Sequence, residues 1–92
     1  MSAPPAPGEA EIAVTVRLFA QAREAAGTAE CVVHVPLGST VQDVLAVLAE
    51  EMPALGLHLG RCSFGVNEAY AGRSQALRAG DELAVIPPIG GG

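Results

Sequence analysis

Residues 39–53 read Ser-Thr-Val-Gln-Asp-Val-Leu-Ala-Val-Leu-Ala-Glu-Glu-Met-Pro, and this stretch decides the architecture. Val41, Val44, Leu45 and Leu48 recur at i, i+3, i+4 and i+7, which places four branched apolar side chains on one continuous face of a helix. Ser39 and Thr40 are candidate N-caps. The Thr40-x-x-Asp43 spacing is that of a capping box, and Asp43 also sits near the positive end of the helix dipole. Pro53 stops the helix. A face this apolar must be covered, and the flanking sequence supplies strands on both sides of it.

Upstream, the even positions Ile12, Val14, Val16 and Leu18 are apolar, the period-2 pattern of a strand with one buried face. Arg17 and Phe19 fall on the other face, where an aromatic and an arginine are candidate interface anchors. Residues 20–26 (AQAREAA) favour a short helix that Gly27 ends, and residues 30–36 (ECVVHVP) read as a second, valine-rich strand. Downstream, residues 54–61 (ALGLHLGR) read as irregular, with Leu55, Leu57 and Leu59 available to cover an open edge of the core. Residues 64–66 and 69–71 read as short strands around the turn-prone pair Asn67-Glu68, and residues 82–86 (ELAVI) as the last strand. Strand pairs around one main helix give an α+β layer, the outline of a β-grasp: a mixed sheet with that helix across one face. Residues 9–86 form this domain, preceded by a proline-rich lead-in (residues 1–8) expected to be disordered.

Composition narrows the function. The 92 residues carry a net charge of −5, and all five basic side chains are arginine. Hydrophobic residues make up 50%, but 17 are alanine and only three are aromatic, so the core is small. A domain of this size buries about 60–65% of its unfolded surface and has little room for an enclosed active site. The acidic balance argues against phosphate-backbone binding to nucleic acid and leads to the expectation that partners present basic docking surfaces. No apolar run approaches the roughly 18 residues of a membrane span, and residues 1–8 lack the basic start and apolar stretch of a signal peptide, so the cytoplasm is the expected location. Cys31 and Cys62 are isolated and read as buried, reduced thiols. His34 and His58 have no partners at ligand spacing, and no metal site is expected. Tyr70 is expected to pack with its hydroxyl in water. Glu50-Glu51 reads as a solvated acidic end of the main helix.

The end of the sequence, read from its residues alone, leaves two alternatives open: a frayed glycine terminus without function, or a tail built to carry acyl chemistry. Pro87 and Pro88 hold an extended direction and remove two backbone donors, which points residues 87–92 away from the sheet. Ile89 and the glycines Gly90, Gly91 and Gly92 follow, without side chains at the last three positions to obstruct a narrow channel. Six extended residues reach about 20 Å, enough to enter a partner's cleft while the domain stays outside. A carboxylate is a poor electrophile, so acyl chemistry on Gly92 needs prior activation, for instance as a mixed anhydride with AMP. The chain offers neither a nucleotide-binding loop nor a base for this, and Gly90–Gly92 opens no helix that could cradle phosphate.

Arg17-Leu18-Phe19-Ala20 followed by Ala22-Arg23-Glu24 and Gly27, Thr40-Val41, Val66-Asn67-Glu68, Leu77-x-x-Gly80-Asp81-Glu82 and the closing Pro-Pro-Ile-Gly-Gly-Gly resemble the small subunits of molybdopterin synthase. The likeness runs in order from Ile12 to Gly92, and the proline-rich lead-in is no part of it. The resemblance implies a ubiquitin-like sulfur carrier that is no enzyme on its own and binds no cofactor. By the same resemblance, a ubiquitin-activating-like adenylyltransferase is expected to adenylate Gly92 with ATP, and sulfur transfer to make it a thiocarboxylate. The tail then enters the large synthase subunit, in a heterotetramer, and donates sulfur to a pterin precursor of the molybdenum cofactor. Gly90 and Gly91, with Pro87, Pro88 and Ile89, give access. Alternatives left open are a sulfur carrier for thiamine, cysteine or tRNA thiolation, a protein-conjugating tail as in ubiquitin, and a non-covalent β-grasp adaptor.

Overall fold

The computed structural model describes residues 10–88; the expected lead-in at residues 1–8 lies outside them. In chain order the elements are β1 (Glu11–Leu18), α1 (Ala20–Ala26), β2 (Glu30–Pro36), α2 (Val41–Glu51), α3 (Pro53–Leu59), β3 (Ser63–Val66), β4 (Ala69–Ala71) and β5 (Glu82–Ile86). The five strands form one sheet in the order β2-β1-β5-β3-β4. β1 pairs antiparallel with β2 and parallel with β5, and β3 runs antiparallel to both β5 and β4. The last strand therefore lies at the centre of the sheet. This is the mixed-sheet β-grasp architecture read from the sequence.

Strand alternation sorts the side chains as the period-2 pattern requires. Ile12, Val14, Val16 and Leu18 of β1, Val33 and Val35 of β2, Phe64 and Val66 of β3, and Leu83 and Val85 of β5 are buried on one face. Val41, Val44, Leu45 and Leu48 of α2 cover them, joined by Leu55 and Leu59 of α3. At the start of α2 the capping box forms: the Thr40 hydroxyl accepts from the Asp43 backbone N–H, and the Asp43 carboxylate accepts from the Thr40 backbone N–H at 2.8 Å. The next orphan amides of this helix end are taken up by a distant segment. Val41 N–H donates to the Gln75 carbonyl at 2.9 Å and Gln42 N–H to the Arg73 carbonyl at 2.8 Å. Arg73 fastens the same segment with its side chain, donating to Gln42 Oε1 at 2.7 Å and to the Leu59 carbonyl at 3.0 Å, with its guanidinium over the Phe64 ring.

Residues expected to be irregular fold instead into α3. Pro53 ends α2 and serves as the first residue of the new helix, where its missing N–H costs nothing. Leu55 and Leu59, four apart, face the core, whereas Leu57 is 85% exposed and covers nothing. Gly56 permits the close packing of α3 on α2: a Cβ there would stand 3.0 Å from Ala49 Cβ and 3.2 Å from Ala49 Cα. Gly56→Ala tests this contact. Helix propensity favours alanine by about 1 kcal/mol, but overpacking costs about 1–3 kcal/mol, and the obstructing atoms include backbone. A net loss of about 1 kcal/mol in urea unfolding is expected; a gain would show that the two helices are not closely seated.

Candidate functional site

The sheet has helices on one face and none of its core on the other, and the open face is organised by register. One row runs across it: Glu30 of β2 opposite Arg17 of β1, Arg17 opposite Ala84 of β5, Ala84 opposite Gly65 of β3, and Gly65 opposite Tyr70 of β4. Arg17 Nη1 lies 3.8 Å from Glu82 Oε2, an exposed pair of small energetic weight. The next step along the strands brings Phe19, which leaves the end of β1, beside Ile86 at the end of β5, because the two strands are parallel and end at the same pole. The sequence placed Arg17 and Phe19 on the face away from the helix, and both are exposed there, Phe19 at 41%.

Phe19 is held from several sides. Its backbone is extended, with φ −123° and ψ 153°, and its carbonyl accepts from the N–H groups of Ala22 at 3.0 Å and Arg23 at 3.2 Å. The Arg17 guanidinium carbon lies 5.9 Å from the ring centroid, at the outer range of a cation–π contact. Phe19, Ala20, Ile86 and Pro87 line an open, apolar groove of about 340 Å³. A second groove of about 260 Å³, lined by Gly65, Glu68, Tyr70, Ala84 and Ile86, continues from it across the face and shares Ile86 as a wall. Tyr70 is 87% exposed, so the expectation that it packs is corrected: the small residues Gly65 and Ala84 along its row leave its ring standing over the groove.

Pro87 is buried and forms part of the groove wall, and Pro88 is exposed. The remaining tail candidates, Ile89, Gly90, Gly91 and Gly92, lie outside the described residues. The structure thus places the root of the tail beside the two interface candidates at one end of the sheet. Sequence reasoning missed Ile86, Ala20 and Tyr70. The signal for Ile86 was present: with Leu83 and Val85 directed to the core, Ala84 and Ile86 must face the opposite side. Ala20 carried no such signal.

The two thiols are free and half-buried rather than fully enclosed. Burial pushes the Cys31 thiol up, and the negative charges of Glu51 and Glu30 push it further. Burial also raises Cys62, with the nearby Arg73 opposing, and the Cys62 thiol donates to the His58 carbonyl at 3.2 Å. Both are thereby held in the protonated, unreactive form. Among the described residues no three His, Cys, Asp or Glu side chains gather as a metal site, and no helix is long and apolar enough to cross a membrane.

The arrangement sets an open apolar groove beside Pro87, where the chain leaves the last strand. Comparisons with known proteins bear on its use. The model of the ThiS family matches residues 16–92. The molybdopterin synthase sulfur carrier subunit of Chlamydomonas reinhardtii is 37% identical over 81 residues, covering 86% of this chain and 98% of that protein. Its counterpart in Arabidopsis thaliana is 38% identical over 81 residues, covering 88% and 84%. Among solved structures, the small archaeal modifier protein 1 of Haloferax volcanii superposes with a TM-score of 0.79 at 31% identity, over 85% of this chain and 99% of that one.

Proposed function

The chain belongs to the ThiS family, and from this we propose that it is the sulfur carrier subunit of a molybdopterin synthase, working in the cytoplasm. The observation that carries the reading is the placement of the tail root. The last strand is central in the sheet, and it delivers Pro87-Pro88 beside an apolar face containing Phe19 and Ile86. A partner that accepts the tail meets that face at the same time.

The chemistry takes place on the Gly92 carboxyl group. A partner adenylyltransferase joins it to AMP from ATP with release of pyrophosphate. A sulfur nucleophile then displaces AMP, and the resulting thiocarboxylate is the cargo. In the large subunit its sulfur attacks a carbon of the pterin precursor and displaces a leaving group from it, which joins tail and pterin as a thioester; water then cleaves the acyl C–S bond, leaving the sulfur on the pterin and the tail as a carboxylate ready for reloading. The domain supplies the reach, the clearance at Gly90 and Gly91, and the docking surface through Phe19 and Arg17. The catalytic side chains are the partners'.

The test is an intact mass. Incubation with the activating enzyme, ATP and a sulfur donor is expected to replace one oxygen by sulfur at Gly92, localised by fragmentation. Absence of that change under conditions that load a known carrier would overturn the reading. A second reading is favoured by the likeness to the small archaeal modifier protein: transfer of the same activated carboxyl to a lysine of another protein. Isolation of this chain joined through Gly92 to a lysine side chain would establish it.

A further inference from the structure

Three non-glycine residues have left-handed backbone: Asn67 (φ 51°), Glu68 (φ 72°) and Ala20 (φ 47°) among the described residues. The first two form the tight turn between β3 and β4, which requires positive φ at both positions. Ala20 has no such hairpin to serve and no polar side chain to compensate the strain, and strained positions of this kind gather at functional sites. It stands at the corner where the chain passes from extended Phe19 into α1, and it lines the groove with Phe19, Ile86 and Pro87. At this corner the lining of the groove is no larger than a methyl group, on a residue that is itself exposed.

The occupant of the groove follows from where the tail must go. Four residues follow Pro88, and fully extended they span about 13–14 Å. For the Gly92 carbonyl carbon to reach a reacting centre inside another protein, the mouth of that protein's channel has to close on Pro87-Pro88. Pro87 is itself a wall of the groove, so the rim of the mouth lies over it. Resting on the functional reading above, we infer that Ala20 is a specificity-determining residue: its left-handed corner keeps the groove open for an apolar side chain on the rim of the partner's tail channel.

The experiment measures, by calorimetry, association of the full chain with the large synthase subunit, alongside thermal unfolding. Ala20→Asn is the informative variant, because asparagine tolerates the left-handed region while its amide fills the groove with polar atoms. Its fold is expected to persist and its Kd to rise about tenfold or more. Ala20→Gly suits the same backbone and leaves the groove empty; it is expected to bind within about threefold of the unaltered chain and to unfold at the same or a higher temperature. Ala20→Asp offers a second left-handed-tolerant side chain should the asparagine variant fold poorly. Binding by the folded Asn or Asp variant within threefold of the unaltered chain would overturn the inference while leaving the functional reading intact. No binding by the unaltered chain would sink that reading and the inferred occupant together.

Discussion

Deletion of Gly92 is expected to abolish sulfur donation, to less than about one-thousandth of the unaltered rate, with no change in the thermal unfolding of the domain. The shortened chain still ends in a glycine carboxylate, so the loss does not come from chemistry at the terminus. It comes from reach: the last carbonyl retreats by about 3.3–3.6 Å. Misplacement of a reacting group by about 1 Å already costs on the order of 10²-fold, so a whole residue removes the carbonyl from attack range. Stability is untouched because the core residues fall between Ile12 and Val85. Appending one alanine after Gly92 should act as strongly, since the activatable carboxyl then belongs to a residue with a side chain and lies one residue too far along the channel. Single-turnover transfer to the pterin precursor in the presence of the large subunit reads both variants. Retention of a tenth or more of the activity by either would mean that donation does not depend on the exact placement of the terminal carbonyl.

Leu48→Ala is expected to lower the melting temperature by about 10–30 °C. Leu48 is fully buried on the sheet-facing side of α2. Truncating such a leucine costs about 2–5 kcal/mol, and in a domain of this size each kcal/mol moves the midpoint by about 4–8 °C. Total stabilities of small domains begin near 5 kcal/mol, so this one change removes much of the margin. Tyr70→Ala is the matched control. An 87% exposed ring contributes little to folding, and its loss is expected to shift the melt by no more than about 0.5 kcal/mol equivalent. A comparable drop for the two variants in scanning calorimetry would contradict the division of the sheet into a packed face and an open one.

What could be read in advance was whatever repeats along the chain. The alternation in β1 and the 3–4 spacing in α2 announce their own elements, because burial of one face is a periodic demand. Gly27 and Thr40 mark helix ends through local backbone chemistry that needs no tertiary context, and both act as expected: Gly27 is left-handed at φ 76°, and Thr40 closes a capping box. α3 escaped notice because a seven-residue helix with a glycine at its centre has neither length nor propensity. It exists because Leu55 and Leu59 find the core and Gly56 lets the backbone approach Ala49. The alternate leucines 55, 57 and 59 imitated a strand-like period, which made Leu57 look inward when it points to solvent. At the site, the outward Phe19 was legible from its own position in the alternation of β1, whereas the glycine tail lies outside the described residues. The groove was not, since it is made by two strands 60-odd residues apart meeting in parallel, and by an alanine whose left-handed backbone leaves no trace in residue type.

The position of β5 has a mechanical meaning. A terminal strand at a sheet edge, drawn out by its end, would peel away one hydrogen bond after another. β5 lies between β1 and β3 and is bonded to both. Tension applied along the tail therefore loads two ladders in shear at once, so that the bonds share the force instead of failing in turn. Under the proposed function, a partner that holds the end of the chain could pull on it without unravelling the body that carries it.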